Sequence, residues 1–503
     1  MQLSQQYIIA SGAYPTIEPL FQLPEKVLQF GTGVLLRGLC DYSIDKANKK
    51  GIFNGRVVVV KSTEGSGADE FDIQNGLYTH FIKGIDSGQT VDETVINASI
   101  SRVLSAKSQW GQVLACAANP HMQIIISNTT EVGIVYTEED VYAAPPASFP
   151  GKLLAFLLER YKVFGGSHAS GMVIVPTELI VNNAGKLKEI VVSLARFNNL
   201  DEAFIDWVEC NNHFCNSLVD RIVPGKLPTA DKAAVEHTLG YTDELIIMSE
   251  VYNLWAIECA KPEVVQALSF SLADKGVVLA HDISKFRELK LRLLNGAHTF
   301  TCGLAVLAGF ETVKSAMAND TFLGFIKALM LHEIAPGLVN ETLTGEEAKN
   351  FALTVIDRFS NPYIEHKWLS ITLQYSSKML MRNVPNLLNH YACSTTVPNC
   401  MALGFACYLR FMQSHKNQQG QCIGNALGKD YTINDDKARL LHEHYERKEL
   451  RPFVAEVLGD ERLWGRDLNN LAGFTDAVVQ NLEAILHLQS EGKSVLDYIA
   501  EIL

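Results

Sequence analysis

The 503-residue sequence lacks several features that would assign it to a common class of protein. It has no run of 18 apolar residues, so no membrane-spanning helix is expected. Its ten cysteines form no Cys-x-x-Cys pair and stand at no zinc-type spacing with histidine. Reduced thiols are therefore expected. No internal repeat or low-complexity tract is present, and the N-terminus has no basic stretch of the kind that begins a secretory signal. These absences predict a cytoplasmic globular protein.

Positive charge is also scarce. The chain has 43 Lys and Arg against 56 Asp and Glu, a net charge of −13. This balance argues against nucleic acid and anionic membranes as partners and favours a small-molecule ligand. If that ligand is an anion, the site must supply local cations within an unfavourable overall field. No pattern in the sequence predicts an oligomeric state.

The first half of the chain alternates strand-like and helix-like segments. Short runs of apolar, largely β-branched residues are separated by amphipathic stretches: Val27–Phe30, Arg56–Val60, Gln123–Ser127 and Gly171–Val175. Such runs are typical of a parallel sheet that is buried on both faces, which predicts an α/β fold of the Rossmann type. Tyr78–Asp86 and Val91–Val103, with a turn at Ser87-Gly88, are predicted to form an antiparallel insertion.

The second half is helical in pattern. Lys275–Asp282 is the last segment predicted as a strand, and helical periodicity dominates from residue 286 onward. A chain of this length exceeds one ordinary core, so we predict an N-terminal domain over residues 1–285 and an all-helical C-terminal domain over residues 286–503. The polar, Gly- and Asn-rich stretch Ser414–Asp435 is predicted to be an exposed loop.

The most informative segment is KLRLLNGAH, Lys290 to His298. On an α-helix, Asn295 and His298 lie about one turn apart, and Lys290 lies two turns from His298, roughly 80° around the axis. The small residues Gly296 and Ala297 are expected to let a ligand approach. A lysine that exchanges a proton, beside an amide donor and an imidazole, suits the reversible reduction of a carbonyl group.

A solvated helix face is the simplest alternative for such a trio. The neighbouring residues are too apolar for that alternative, because leucine, alanine and phenylalanine surround the three polar side chains. Polar groups on an apolar helix need partners or a ligand. The composition of the segment therefore favours a functional role.

A second motif, VLQFGTGVLLRG, joins an apolar strand to a helix through Gly31-Thr-Gly33. Two glycines allow the tight turn and the close approach of a pyrophosphate, although Leu36 stands at the usual third glycine. Arg37 is either a phosphate-binding cation or a surface charge. Glu64 comes slightly late for the acidic residue that binds an adenosine ribose, so this rule leaves NAD and NADP open. A methyltransferase can begin with such a turn but has no need of the trio.

Taken together, the ordered motifs resemble the mannitol dehydrogenase family of polyol-specific long-chain dehydrogenases. The resemblance covers roughly residues 20 to 490 and rests on QFGTG-x-LLRG, SNTTE-x-G, PTELI-x-x-N, VDRIV, K-x4-N-G-A-H-T and RFSNPYI-x-H. It implies a Rossmann-type domain followed by a helical domain, NAD as the cofactor, and no catalytic metal.

The resemblance also implies roles for individual residues. Lys290 would be the general acid and base, Asn295 and Asn183 would hold the reacting oxygen, and His298 would position that oxygen or the lysine. Ala184 replaces the glycine that usually follows the asparagine at position 183. Arg358 and His366 would bind substrate, with His366 standing where mannitol-type enzymes have lysine. The expected cofactor contacts are Phe30, Gly31, Gly33, Leu35, Arg37, Asn128, Thr129 and Glu131.

Some of these residues have alternative interpretations. Glu178 is either a substrate acceptor or a structural partner, and Asp220 is either a structural partner or a substrate contact. Asn128, Thr129 and Glu131 either line the cofactor cleft or cap the following helix.

The expected activity is NADH-dependent, reversible reduction of a keto sugar acid by a uronate-type member of the family. Two alternatives stay open. One is a relative acting on a different hexuronate or on fructose and mannitol. The other is a regulator that binds a nucleotide but has lost catalysis.

Overall fold

A computed structural model of the chain describes residues 1–62, 69–129, 133–225, 229–445 and 449–502. It divides into two compact units. The first comprises Met1–Lys83 and Val91–Ile283, and the second comprises Gly84–Thr90 and Ser284–Leu503.

A six-stranded parallel sheet forms the centre of the first unit and confirms the predicted Rossmann-type architecture. Its strands run in the spatial order Ile100–Ser105, Arg56–Lys61, Glu25–Phe30, Ile124–Ser127, Val173–Pro176 and His213–Phe214. Alternate residues enter separate cores on the two faces: Leu28 and Val58 point to one, whereas Val27 and Val57 point to the other. This double burial explains why the strands are continuous apolar runs.

The predicted antiparallel insertion is correct only in its first part. Tyr78–Asp86 and Gln89–Asn97 are neighbouring strands joined at Ser87-Gly88, where both residues have positive φ, as a two-residue hairpin turn requires. The end of the predicted Val91–Val103 strand belongs elsewhere, because Ile100–Ser105 pairs in parallel with Arg56–Lys61 in the main sheet. The apolar pattern continues through the break at residues 98–99 and conceals the change of sheet.

Two small sheets and a set of helices complete the first unit. One sheet has the order Ile247–Ser249, Tyr78–Asp86, Gln89–Asn97, and the other Val277–Ala280, Leu254–Glu258, Ser217–Asp220. The α-helices are Gln5–Ser11, Val34–Gly38, Cys40–Lys49, Glu70–Ile73, Trp110–Ala115, Phe149–Phe164, Asn183–Phe197, Glu202–Asn211, Thr229–Leu239 and Pro262–Ala267; the 3₁₀ turns are Glu18–Gln22, Cys116–Ala118, His168–Ser170 and Ser269–Ala273.

Helices around a single core form most of the second unit. The α-helices are Ser284–Leu289, Gly296–Leu307, Val313–Met317, Asp320–Ala328, Gly345–Phe359, Trp368–Ile371, Tyr375–Lys378, Val384–Cys393, Asn399–Met412, Ala438–Tyr445, Leu450–Gly459, Glu461–Trp464, Phe474–Ser490 and Val495–Ile502. Three π-helical segments (Lys290–Asn295, Leu329–Ile334 and Met379–Asn383) and two 3₁₀ turns (Ala335–Leu338 and Leu468–Asn470) interrupt them.

The predicted helical C-terminal domain is confirmed, with one small sheet in addition, whereas the predicted loop Ser414–Asp435 is wrong. This stretch folds into an antiparallel sheet of His415–Lys416, Cys422–Ala426 and Lys429–Thr432. Glycines at positive φ, Gly420 and Gly428, form its turns. Cys422, Gly424 and Ala426 are buried alternately, a period of two that the polar composition conceals.

One helical segment, Asp320–Leu338, is long and apolar enough to cross a membrane by length and composition alone, and half of its apolar window is buried. Phe322, Phe325 and Ile326 in this segment have no exposed surface and belong to the core of the second unit. The segment is therefore accounted for as a core helix.

Candidate active site

The Gly31 turn follows the central strand at the carboxyl edge of the main sheet. Gly31 has φ +126°, and a β-carbon there would lie 3.0 Å from both the Asn128 carbonyl oxygen and Leu36 Cδ1. Leu36, at the usual third glycine, therefore packs against the turn. Gly33 has open space, since a β-carbon there would meet nothing within 4 Å. Gly31 is required by the protein itself, whereas Gly33 leaves room for a ligand.

Four of the expected cofactor contacts come together at this edge. Phe30, Gly31, Asn128 and Thr129 line a pocket of about 480 Å³, together with residues that the sequence did not suggest: Val60, Ser62, Ala106, Gly133, Val135, Thr137, Ala147, Ser148, Phe149 and Lys152. Strand register explains the convergence, because Phe30 is aligned with Val60 on one side and Ser127 on the other.

The strand-end residues are held by a buried carboxylate. Glu178 accepts hydrogen bonds from Ser127 Oγ at 3.1 Å, Thr129 N at 2.9 Å and Thr129 Oγ1 at 3.0 Å. Asn128 Nδ2 donates to the Thr177 carbonyl and hydroxyl at 3.1 and 2.9 Å. These bonds favour the structural interpretation of Glu178. They orient the loop that lines the pocket.

Arg37 is neither a phosphate-binding cation nor a surface charge in this structure. Its guanidinium is buried, donates to the Leu245 carbonyl at 2.6 Å and lies 5.3 Å from the Tyr78 ring centroid. Burial lowers the pKa of Arg37. The expected cofactor role was wrong because the Arg37 side chain is directed into the protein, where the Leu245 carbonyl engages it.

Leu35, Glu131 and Glu64 were also considered as cofactor contacts near the turn. Leu35 is partly buried against the core beneath the sheet. Glu131, the last expected cofactor contact, and Glu64, the late acidic candidate, lie outside the described residues. At the end of the second strand, Lys61 forms an ion pair with Asp69.

The side-chain amide of Asn183 is hydrogen-bonded to backbone groups. Its side-chain amide nitrogen lies 3.0 to 3.1 Å from the carbonyl oxygens of Pro176, Glu178 and Ser217, and its oxygen accepts from Ala184 N and Ser217 N. The residue is 1% exposed. An amide has two N–H groups, so none is left for a substrate oxygen here. The expected contact with the reacting oxygen is replaced by a positioning role at the end of the Val173–Pro176 strand.

Asp220 ends an edge strand that pairs antiparallel with Leu254–Glu258, and it is buried. The next residue, Arg221, donates to the Glu250 carbonyl at 2.8 and 3.0 Å and to the Gly38 carbonyl at 2.6 Å. The VDRIV motif thus joins three segments of the first unit. This arrangement agrees with the structural alternative for the motif.

The predicted trio lies in the second unit, but its helix is not uniformly α. Lys290–Asn295 is π-helical, and the α-helix resumes at Gly296. The 100° rotation per residue therefore does not apply between Lys290 and Asn295. π-helical segments occur frequently at functional sites. Lys290 and Asn295 are half-buried, whereas His298 is buried.

Hydrogen bonds join this segment and the helix that follows it to a second π-helical segment, Met379–Asn383. Arg292 Nη1 donates to the Met381 and Arg382 carbonyls at 2.9 and 3.2 Å. With its amide assigned in the orientation that satisfies both groups, Asn383 donates to Gly296 O and accepts from Phe300 N, at 3.1 Å each, in the first turn of the α-helix Gly296–Leu307.

The predicted role of the small residues was wrong. A β-carbon on Gly296 would lie 2.5 Å from Asn386 Nδ2, and Ala297 has no exposed surface. These residues admit the neighbouring helix rather than a ligand.

His298 lies in an aromatic and cationic environment. Its ring stacks on Phe359 at 3.9 Å and meets the His366 ring edge-on at 5.3 Å. Burial, followed by the nearby His366 and Arg358, holds the pKa of His298 well below its ordinary value. The imidazole is therefore neutral at pH 7. Its Nε2 atom is buried and has no hydrogen-bond partner among the described residues.

The substrate residues expected from the sequence are brought to this imidazole. Arg358 is buried at the end of the helix Gly345–Phe359, directly before the stacked Phe359. His366 is half-buried, and burial followed by the neighbouring Lys378 lowers its pKa.

Sequence reasoning missed two further cations. Lys378 and Arg382 both contribute to the lowered pKa of His298, and Arg382 Nη1 donates to Thr299 Oγ1 at 3.2 Å. Their Lys-x-x-x-Arg spacing is visible in the sequence, but nothing local distinguishes it from a solvated pair. In residues that the structure describes, no group of three or more His, Cys, Asp or Glu is arranged to hold a metal ion.

Two family models match the chain in sequence. The mannitol dehydrogenase Rossmann domain matches residues 25–267, and the mannitol dehydrogenase C-terminal domain matches residues 282–486. Among curated proteins, altronate oxidoreductase of Bacillus subtilis (strain 168) is 39% identical over 93% of this chain and 94% of its own length. Altronate oxidoreductase of Escherichia coli (strain K12) is 35% identical over 93% of this chain and 96% of its own.

Two solved structures share the fold. A D-sorbitol dehydrogenase in substrate-free form has a TM-score of 0.73 at 19% identity, with 95% of this chain and 96% of that chain covered. Pseudomonas fluorescens mannitol 2-dehydrogenase, in a ternary complex with NAD and D-mannitol, has a TM-score of 0.63 at 20% identity, with 100% and 99% covered. Because the two family models together span most of its length, the chain belongs to the mannitol dehydrogenase family.

Proposed function

We propose that the protein catalyses the NADH-dependent, reversible reduction of D-tagaturonate to D-altronate. The observation that carries this proposal is the group of cationic side chains around His298, in a protein whose net charge is −13. An anionic sugar acid needs such local cations, whereas a neutral polyol does not. The sequence identity of 35–39% to proteins named altronate oxidoreductase supports the same substrate class.

NAD is the proposed cofactor, and the Gly31 pocket fits it. The open space at Gly33 and the backbone turn at Gly31 suit a pyrophosphate, and Phe30, Asn128 and Thr129 would line its binding site. Leu35 is proposed only to support the turn from beneath. When bound, the reduced cofactor supplies the hydride to the substrate ketone.

Lys290 is the proposed proton donor and acceptor, and this chemistry requires no metal ion. In the reductive direction its ammonium group donates a proton to the oxygen of the forming alkoxide. The Asn295 amide is proposed to donate a hydrogen bond to the same oxygen, which in comparable sites contributes about 3 kcal/mol to the stabilisation of the transition state. Neutral His298 would position that oxygen or the lysine, and Arg358 and His366 would bind the substrate carboxylate and hydroxyl groups.

A substrate panel tests the proposal. D-tagaturonate, D-fructuronate and D-fructose are each assayed with NADH and with NADPH, and we expect the highest kcat/KM for tagaturonate with NADH. Faster turnover of fructose would contradict the sugar-acid assignment. Binding of NADH without turnover of any of the three would instead indicate a non-catalytic protein.

The role of Lys290 is tested by Lys290→Ala, with the exposed Lys327→Ala as the matched control. We expect the first variant to lose turnover at neutral pH while it keeps its affinity for NADH, and the second to match the wild type. Normal turnover in Lys290→Ala would refute the assignment.

A further inference from the structure

Lys378 and Arg382 are two half-buried cations with no carboxylate partner. Lys378 closes the helix Tyr375–Lys378, and Arg382 follows in the π-helical segment Met379–Asn383. Among the described ranges, neither side chain has an Asp or Glu oxygen within ion-pair distance. Some half-buried lysines of the protein do have such a partner, as in Lys46 with Asp274 at 2.7 Å. Among the described residues, Lys26, Lys152 and Arg160 also donate only to backbone carbonyls, so the feature that distinguishes Lys378 and Arg382 is their position beside His298.

Most of the donor capacity of the pair is unused by the protein. Lys378 Nζ donates to the Ile371 carbonyl at 2.8 Å, and Arg382 Nη1 donates to the Thr299 hydroxyl at 3.2 Å. An ammonium has three N–H donors and a guanidinium has five. Both hydrogen-bond partners are neutral, and the Asp435 carboxylate acts on Lys378 only from beyond ion-pair distance, so the two positive charges are at most weakly compensated by the described residues.

Burial makes this arrangement unfavourable without an anion. The pKa of Lys378 is lowered by burial and then by Arg382, and burial also lowers the pKa of Arg382. Both shifts record a charged form that is less stable than in water. Next to them, His298 Nε2 is a buried polar atom with no partner among the described residues. The cations and this atom are complementary to a ligand that brings negative charge and oxygen atoms.

We infer that Lys378 and Arg382 form the subsite for the substrate carboxylate and determine the preference for sugar acids over neutral ketoses. This inference rests on the proposed function, because it places the anionic end of the same substrate. The planar fork of an arginine matches a carboxylate with two parallel hydrogen bonds, and the lysine adds a point charge. Arg358 and His366 are then left mainly for hydroxyl groups.

The experiment compares D-tagaturonate with D-tagatose, which carries a hydroxymethyl group in place of the carboxylate. The variants are Lys378→Met and Arg382→Gln, with Lys378→Arg as the charge-conserving variant and Lys327→Met as a surface control. We expect each neutral variant to lower kcat/KM for tagaturonate about 10- to 100-fold, mainly through KM, because a charge-assisted hydrogen bond is lost. Turnover of tagatose should change less than about threefold, and Lys378→Arg should keep most of the wild-type activity.

Two outcomes would overturn the inference. An equal loss on both ketoses would assign the pair a structural role, and unchanged kcat/KM for tagaturonate would remove the pair from the subsite. Failure of the wild type to reduce tagaturonate would instead contradict the proposed function.

In that case thermal unfolding tests the inference on its own. Tagaturonate, but not tagatose, should raise the Tm of the wild type, and each neutral variant should lose the increase. A Tm that does not respond to tagaturonate, or an increase that persists in the variants, would contradict the carboxylate subsite.

Discussion

Replacement of Asp41 by asparagine should change how the stability of the protein depends on pH. Asp41 has no exposed surface, and its Oδ2 accepts from Gln29 Nε2 at 3.2 Å. The same Gln29 nitrogen lies 3.3 Å from the Gly31 carbonyl, so Asp41 supports the turn that lines the candidate cofactor pocket. Burial raises the pKa of Asp41 from 3.8 to about 7.

The sign and size of the effect follow from this shift. Below pH 3.8 the carboxyl is protonated in both folded and unfolded chains, so stability from this group is fully present. As the pH rises toward 7, the unfolded chain releases its proton first and stability is lost. Between pH 5 and pH 8 the wild type should lose about 2.6 kcal/mol relative to Asp41→Asn, which has no proton to release.

Urea unfolding at pH 5, 6.5 and 8, followed by circular dichroism, measures this difference. Asp72→Asn, at an exposed aspartate, is the matched control and should follow the wild type at every pH. Parallel pH profiles for the wild type and Asp41→Asn would refute the reasoning, because they would mean that Asp41 is ionised at the same pH in both states.

Three further predictions concern the two candidate binding regions. Gly31→Ala should destabilise the protein by about 1–3 kcal/mol in urea unfolding, because it places a side chain at φ +126° and 3.0 Å from two atoms; Gly33→Ala should leave stability unchanged and raise the Kd for NADH in fluorescence titration. Asn383→Leu should lower both kcat and the free energy of unfolding, the latter by about 1–3 kcal/mol for each partner left without a bond; an unaltered kcat would show that these contacts do not position the helix that carries His298. Below pH 6.5 the unfolded wild type binds a proton at His298, whereas the folded imidazole stays neutral, so the free energy of unfolding of the wild type should fall by about 1.4 kcal/mol per pH unit. His298→Gln should remove this dependence, as measured by urea unfolding at several pH values.

Periodicity predicted the main sheet because its strands are buried on both faces. The structure begins and ends these strands within a few residues of the predicted positions, as in Arg56–Lys61 for the predicted Arg56–Val60. The same reasoning failed for Ile100–Ser105, since an apolar pattern does not specify which strand is the partner. It also failed for Cys422–Ala426, where glycine and asparagine dominate the composition although burial alternates.

Side-chain partners were the least predictable part of the candidate site. Arg37 and Asn183 occur in motifs that suggest ligand contacts, yet each is engaged by backbone carbonyls from distant segments. Lys378 and Arg382 were overlooked for the complementary reason, because their position beside His298 is visible only in three dimensions. Residue type and spacing therefore located the candidate binding regions, whereas the role of each residue within them could be assigned only from the fold.

Because Lys290–Asn295 is π-helical, the direction in which the Lys290 side chain points depends on the number of residues in this segment as well as on their types. The widened turn accommodates an extra residue between Lys290 and the helix that carries His298. Deletion of one residue, such as Leu291, would restore an ordinary helical turn and rotate Lys290 by about 100° around the axis. Such a deletion would shorten the K-x4-N spacing by one residue without removing the lysine, the asparagine or the histidine, and we expect it to lower activity through the direction of Lys290 alone.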